Sequence, residues 1–205
     1  MITKDEIIAF EKEIAQLYSE GKIHAPVHLR SGREEQLIDI FTRYDINDND
    51  WVFGYWDSHE LALLKDVPAT TVKNSILAGN SIALCYPKFN ILCSGIVGSL
   101  AGVAVGTAWA LKKQNKPGRV FHFCGEMSAE TGIFHEAVKY STNWNLPIVF
   151  VVCDNGLSVM TKTREVWNHD EPWWFGEDYR YSTYIHYFKY TNGYPHSGLG
   201  KLIKF

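Results

Sequence analysis

An α/β fold, a parallel sheet flanked by helices, is what this chain predicts, and three observations point to it. Two apolar runs, Val120–Cys124 and Pro147–Cys153, have the length and the β-branched and aromatic content of buried strands. A helix-forming stretch from Ser128 to about Asn145 lies between them, as a crossover between parallel strands requires. Each run ends in an oxygen-bearing side chain, Glu126 after Gly125 and Asn155 after Asp154. If the runs are neighbouring parallel strands, those oxygens meet at the C-terminal ends, where open α/β sheets bind ligands. Hard oxygens beside helix N-termini suit magnesium and a diphosphate.

The remaining elements follow in order. The opening segment, MITKDEIIAFEKEIAQLYSE, predicts an amphipathic helix with Ile7, Ile8, Phe10, Ile14 and Leu17 along one side. Its acids and helix formers differ from a signal peptide. Gly21 turns the chain into His24–Leu29, extended because of Pro26. Ser31 starts a second helix running to Arg43, with Ser31 and Glu34 as its capping box. Asp45–Asp50 is a polar loop, Val52–Trp56 is a short extended piece, and helices follow at His59–Lys65 and Ala69–Ala78. Ser99–Leu111 predicts a helix that is apolar all round and therefore buried. Gly98, Gly102 and Gly106 fall on one face of it, leaving bare backbone for close packing against a sheet or helix. Phe89–Leu111 carries no charge and is long enough to span a bilayer. Asn90, Ser94, Gly95, Gly98, Ser99 and Thr107 interrupt it, and a membrane span is not expected.

Composition fits one soluble domain over residues 1–205, large enough to bury its own core. The tail from about residue 168 to 205 is rich in Trp and Tyr, and is expected to pack on the core or on a partner. A formal net charge of −3 without a basic stripe argues against nucleic acid and anionic membranes. Cys85, Cys93, Cys124 and Cys153 form no CxxC pair; buried free thiols and a reducing cytoplasm are expected. GxGxxG after a strand, GxxxxGK[ST] and GxSxG are all absent, and His135-Glu136 lacks its second histidine because Lys139 stands there. A nicotinamide enzyme, a P-loop nucleotidase and an ordinary hydrolase are thereby disfavoured.

The spacing of Gly125-Glu126-Met127 and Asp154-Asn155 resembles the metal motif of thiamine diphosphate enzymes. Four further stretches are similar to the alpha subunits of two-component 2-oxo acid dehydrogenases: Gly21–Ile23 with Pro26–Glu34, Trp56–His59, Ser94–Gly98 and Gly132–Ala137. Together they cover about residues 18 to 165. The resemblance implies the diphosphate-binding half of a thiamine diphosphate fold. It implies magnesium held by Glu126, Asn155 and the carbonyl of Leu157. It implies cofactor contacts from Trp56, His59, Ser94, Ile96, Gly125, Met127, Ser128 and Asn155, with Ile96 bending the cofactor. His28, His59 and His196 are the candidate catalytic groups.

Glu126 stands where most of the family has Asp, and Asp57 where an arginine helps hold the diphosphate. An anion beside an anion predicts that Asp57→Arg tightens cofactor binding. The resemblance further implies a second subunit that carries the pyrimidine-binding half and its glutamate, a heterotetramer, and a small carbonyl substrate. Tyr194–Lys201 is similar to the tails of short transketolase-like subunits of sugar biosynthesis, and ketol or acyl transfer is the leading expectation. The alternatives are the alpha subunit of an oxidative 2-oxo acid dehydrogenase and a cofactor-free structural subunit.

Overall fold

The computed structural model describes residues 2–168 and 184–200. Its first half runs α1 (Lys4–Ser19), α2 (Glu34–Arg43), β1 (Trp51–Gly54), α3 (His59–Leu64), α4 (Ala69–Leu77), β2 (Cys85–Tyr86), a 3-10 turn (Pro87–Phe89) and β3 (Ile91–Cys93). Then come α5 (Ser99–Lys113), β4 (Val120–Gly125), α6 (Glu126–Ala129), α7 (Gly132–Asn143), β5 (Ile148–Asp154), β6 (Leu157–Ser158), β7 (Thr161–Lys162), α8 (Thr163–Trp167) and β8 (Ile185–Lys189). The chain divides into two compact units. The first comprises Met1–Asp48, Gly54–Gly95 and Thr191–Phe205, and the second Asn49–Phe53 and Ile96–Tyr190.

The second unit is built on parallel strands in the order β1, β4, β5, β8. β4 and β5 pair from Val120↔Ile148 to Gly125↔Cys153. Nearly every residue of both strands is buried, as parallel strands covered on both faces require. Helices α5 and α6 contact both strands, and α7 packs on α5 and α6. Phe150 is fully buried, with Phe134 and His122 edge-on to it at centroid distances of 5.4 and 5.8 Å. Asp50 ties the start of the sheet together by accepting the Arg119 amide (2.7 Å) and pairing with its guanidinium (2.8 Å).

In the first unit α1 packs on α2 and α3, and α3 on α4, beside the β2–β3 hairpin. Ile7, Phe10 and Ile14 are buried as the periodicity predicts. Residues 191–200 lace back onto residues 27–32: Gly193 N–H donates to Ser31 Oγ (3.0 Å), Ser31 N–H to Asn192 Oδ1 (3.1 Å), and Gly198 N–H to the Val27 carbonyl (2.8 Å). Gly32 has φ +84°, and a Cβ there would lie 2.2 Å from the Thr191 carbonyl oxygen, so only glycine fits.

Several expectations change. The capping box is at Thr3 and Glu6, not at Ser31 and Glu34: Thr3 Oγ1 accepts the Glu6 amide and the Glu6 carboxylate accepts the Thr3 amide. Helix α2 begins at Glu34 without a side-chain cap, because Ser31 is committed to Asn192 and Gly193. The helix foreseen from Ser128 to Asn145 starts at Glu126 and breaks at Glu130–Thr131 into α6 and α7. Helix α5 is not buried all round: Leu100, Ala101, Ala104, Ala108 and Leu111 are buried, while Val103 is 47 % exposed and nothing lies within 4 Å of a Cβ at Gly102 or Gly106. Apolarity marks faces able to pack, but only one face of α5 meets the sheet. Residues 89–111 are split among a 3-10 turn, β3, a loop and α5, and no described helix is long and apolar enough to cross a membrane. Cys93, Cys124 and Cys153 are buried free thiols, but Cys85 is exposed. The tail supplies β8 against β5, while Trp173, Trp174, Tyr179 and Tyr181 lie outside the described residues.

Removing the Phe150 ring leaves a cavity between β5 and α7. Phe150→Ala is expected to cost about 3–5 kcal/mol, measured as a fall in the urea midpoint at unchanged slope.

Candidate functional site

The β4–β5 register sets the second unit's candidate site. Because Gly125 pairs with Cys153, the next residues, Glu126 and Asp154, leave their strands side by side. Both side chains are buried. Asp154 Oδ1 accepts the Gly156 amide (2.7 Å), which closes the turn after β5, and its Oδ2 accepts the Tyr187 hydroxyl from β8. Glu126 Oε1 accepts the Thr163 hydroxyl at 2.8 Å. Burial pushes the Glu126 carboxyl up to about 7; the Thr163 hydrogen bond pulls against that, and the Asp154 charge adds to the rise. A buried carboxylate whose charged neighbour is another carboxylate is a seat that favours a cation.

Two more oxygens come from the turn. Asn155 Oδ1 accepts the Leu157 amide (3.0 Å), so the carboxamide sits over the backbone of Leu157. In the β6–β7 hairpin Leu157 pairs with Lys162 and Ser158 with Thr161, while Thr163 N–H donates to the Gly156 carbonyl. Antiparallel pairs alternate between hydrogen-bonded and non-hydrogen-bonded, which puts Leu157 in a non-bonded pair. Its carbonyl therefore points out of the hairpin, to the side on which its amide meets Asn155. Nothing lies within 4 Å of a Cβ at Gly125, so the backbone at the end of β4 is open to approach. Ser128 is buried in α6, and Met127 takes the Trp167 indole N–H on its sulfur at 3.0 Å. Ile96, also in this unit, is 74 % exposed and is not core.

The first unit holds the remaining candidates. His28, Trp56 and His196 form one aromatic cluster, with the two imidazoles 4.8 Å apart and the indole 6.1 Å from each. His28 Nδ1 lies 2.6 Å from the His196 carbonyl. A carbonyl only accepts, so Nδ1 carries the proton and Nε2 keeps a lone pair. Burial lowers the pKa of both histidines. Ser94 donates its amide to the Gly54 carbonyl at 3.4 Å.

His59 stands apart from that cluster. It is buried, with Nδ1 on Glu11 Oε1 (2.8 Å) and Nε2 on Ser81 Oγ (2.9 Å). The acid–imidazole–hydroxyl order is that of a hydrolytic triad, but Ser81 is 1 % exposed and no substrate reaches it.

Asp57 is not an anion facing a diphosphate. Its buried carboxylate pairs with Arg30 and, at 3.3 Å, with Arg33. Arg33 also donates to Glu60 (2.6 Å), to the Tyr55 hydroxyl (2.5 Å) and to the Asp57 carbonyl (2.6 Å). An arginine at position 57 would set a third cation against two buried guanidinium groups, which overturns the expectation that Asp57→Arg tightens cofactor binding. Arg30 and Arg33 fall within a stretch that carries the family resemblance, yet nothing in their spacing reveals that Asp57 neutralises them. Thr163 and Tyr187 had no signal in the chain, since each meets its carboxylate only through tertiary packing.

Among the described residues no three His, Cys, Asp or Glu side chains are grouped to hold a metal. The oxygen set of Glu126, Asn155 and the Leu157 carbonyl is of another kind.

The family model for "Dehydrogenase E1 component" matches residues 3–175. The chain belongs to that family. This E1-family chain is 29 % identical over 168 residues to the alpha subunit of the acetoin:2,6-dichlorophenolindophenol oxidoreductase of Bacillus subtilis strain 168, covering 76 % of this chain and 49 % of that protein. It is 31 % identical over 165 residues to the chloroplastic pyruvate dehydrogenase E1 component subunit alpha-3 of Oryza sativa subsp. japonica, covering 71 % and 38 %. It spans less than half the length of these curated relatives. A Mycobacterium smegmatis structure titled as a putative thiamin diphosphate-dependent enzyme covers 65 % of this chain and 22 % of its own at 21 % identity and a TM-score of 0.43, too slight a likeness to build on. Membership bears out the resemblance to the dehydrogenase alpha subunits. The relatives' names favour the oxidative dehydrogenase alternative over ketol transfer.

Two outcomes are expected for the first unit's ion network. Asp57→Ala, which strands two buried guanidinium groups, should cost about 3–5 kcal/mol, and Asp57→Arg at least as much, both read by urea denaturation. Burial opposes the His59 charge, but Glu11, Glu60 and Asp57 outweigh it and the pKa moves up. Burial raises Glu60 to about 7 against the pull of Arg33. Both folded values lie above the unfolded ones, so the folded chain keeps protons that the unfolded chain releases. That stabilisation is present below the unfolded values and is lost as pH rises through the folded ones. Melting temperature should therefore fall as pH rises from about 4.5 through about 7, the span of Glu60, and fall further above pH 6.5 as His59 loses its proton, less steeply there in Glu11→Gln, which removes the partner that raises His59.

Proposed function

We propose that this chain is the magnesium- and diphosphate-binding alpha component of an E1-type enzyme that works on a 2-oxo acid or a related carbonyl compound through thiamine diphosphate. The observation that carries the reading is the buried Glu126–Asp154 carboxylate pair at the ends of adjacent parallel strands, with Asn155 and an outward Leu157 carbonyl beside it. Magnesium takes hard oxygen ligands in octahedral geometry at about 2.1 Å. Glu126, Asn155 and Leu157 would supply three, leaving positions for diphosphate oxygens. Asp154 holds the turn and adds negative charge.

The open backbone at Gly125 and the amides of Met127 and Ser128 would receive the diphosphate. Ile96, exposed and bulky, would meet the body of the cofactor. When bound, thiamine diphosphate supplies a thiazolium carbon that adds to carbonyls and stores the electrons of the cleaved bond. Within the first unit His28 is the candidate proton acceptor: its Nδ1–H is anchored, burial favours its neutral form, and Nε2 keeps a lone pair. His196 orients it. His59 is not carried forward, because both its ring nitrogens are committed. A second subunit, in a heterotetramer, would supply the pyrimidine half of the cleft and its glutamate. The buried free thiols suit a reducing cytoplasm.

Glu126→Ala and Asn155→Ala are expected to abolish magnesium-dependent binding of thiamine diphosphate in calorimetric titration, while Glu126→Asp retains much of it. Unchanged affinity in both alanine variants would sink the assignment. With the partner chain present, oxidation of a 2-oxo acid or acetoin should reduce dichlorophenolindophenol. Transfer to an aldehyde acceptor without dye reduction would return the ketol-transfer reading to first place. The isolated chain should do neither.

A further inference from the structure

Besides backbone hydrogen bonds from its own residue and from Asn155, the Glu126 carboxylate takes a side-chain hydrogen bond from the segment after β7. Thr163, the first residue of α8, donates its hydroxyl to Oε1 at 2.8 Å. Thr163 is itself fixed, since its amide donates to the Gly156 carbonyl at 3.1 Å. Four residues on, the Trp167 indole N–H meets Met127 Sδ at 3.0 Å, so α8 is tied to α6 at both ends. The intervening hairpin turns through Val159 at φ +59°, a β-branched residue in the left-handed region. Such a backbone persists only where its surroundings hold it. Met160 beside it is 84 % exposed, so the tip itself has little packing, and it is held by the hairpin pairs below it together with the contacts at Thr163 and Trp167.

We propose that Thr163 is a positioning residue for the cation: its hydroxyl occupies Glu126 Oε1 and turns Oε2 toward the metal, making residues 157–167 a clasp that sets the ligand's orientation. This rests on the magnesium seat proposed above. It also accounts for the glutamate. A carboxylate one methylene longer than aspartate has an extra torsion to restrain, and Thr163 restrains it from one side while the backbone at Glu126 and Asn155 holds it from the other. An aspartate at 126 would be shorter and would not reach the hydroxyl.

Manganese(II), read by electron paramagnetic resonance, is the probe, titrated into the full-length chain with excess thiamine diphosphate. Thr163→Val keeps the shape and loses the hydroxyl, so manganese affinity should fall roughly tenfold, as for a lost hydrogen bond to a charged group. Thr163→Ser keeps the hydroxyl and should stay near wild type. A role through the γ-methyl alone reverses that order, with Val near wild type and Ser impaired, and overturns the proposal. In a Glu126→Asp background Thr163→Val should change little; an undiminished tenfold effect there also overturns it. If Thr163→Val does not fold, Thr163→Ala read against Thr163→Ser makes the same comparison. Glu126→Ala separates the two levels. If it binds manganese like wild type, the magnesium seat itself falls. If it loses manganese while Thr163→Val keeps full affinity, the seat stands and the clasp does not.

Discussion

The parallel pairing of β4 with β5 is the constraint on which the second unit depends. Six residue pairs, Val120↔Ile148 to Gly125↔Cys153, bring two strand ends level, and that alone sets Glu126 against Asp154. A slip of one residue would turn each side chain of a strand to the opposite face and part the two carboxylates. The register holds because both strands are buried almost throughout, with Phe121, Phe123, Phe150 and Val151 sealed from water. Burying the strands also buries their last residues. The same packing that stabilises the sheet strips solvent from Glu126 and raises its pKa. Fold and candidate site are one construction here: a well-packed parallel pair ends in a carboxyl group stripped of solvent beside a second carboxylate.

The first unit obeys a different rule. Its interior contains Arg30, Arg33, Glu11, Asp57, Glu60 and His59, all buried. Buried charge is tolerated only when paired, and each of these groups has an oppositely charged partner or one that gains a proton. Networks of this sort add little net stability over apolar packing, but removing one member is severe. Asp57 is accordingly spent on two buried arginines. His59 is drawn into the same interior through Glu11 and Ser81, while His28 and His196 stay at its edge, half-buried, with Trp56. Three histidines that look equivalent along the chain thus have unlike environments.

Much of the architecture was legible because it rests on periodicity and local chemistry. Buried strands appear as continuous apolar runs, and the amphipathic stripe of α1 places Ile7, Phe10 and Ile14 in the core. Glycine, asparagine and aspartate mark the turns. The pairing of Glu126 with the Asp154-Asn155 turn could be read in advance, because parallel strands and a crossover leave their C-terminal ends few other arrangements. What those signals miss is commitment. Ser31 has the composition of a helix cap, yet residues 192 and 193, far along the chain, claim it. Helix α5 has a glycine face shaped for close packing, yet the sheet covers the opposite side. β8 was invisible because a short aromatic strand cannot be told from any other aromatic stretch until β5 offers it an edge.

The chain by itself determined the α/β class, the order of most elements, the family, and the meeting of two strand-end oxygens at the C-terminal edge of the parallel strands. These depend on neighbours a few residues apart, or on two strands whose connection leaves one sensible pairing. Tertiary structure decided which polar groups are spent and which are left over. It neutralised Asp57 with Arg30 and Arg33, sealed His59 against Glu11 and Ser81, set Thr163 on Glu126 and Tyr187 on Asp154, and turned the Leu157 carbonyl outward. The reason is physical: a side chain's charge, accessibility and free lone pairs are properties of its three-dimensional surroundings, and the partners that fix them lie up to 168 residues away along the chain.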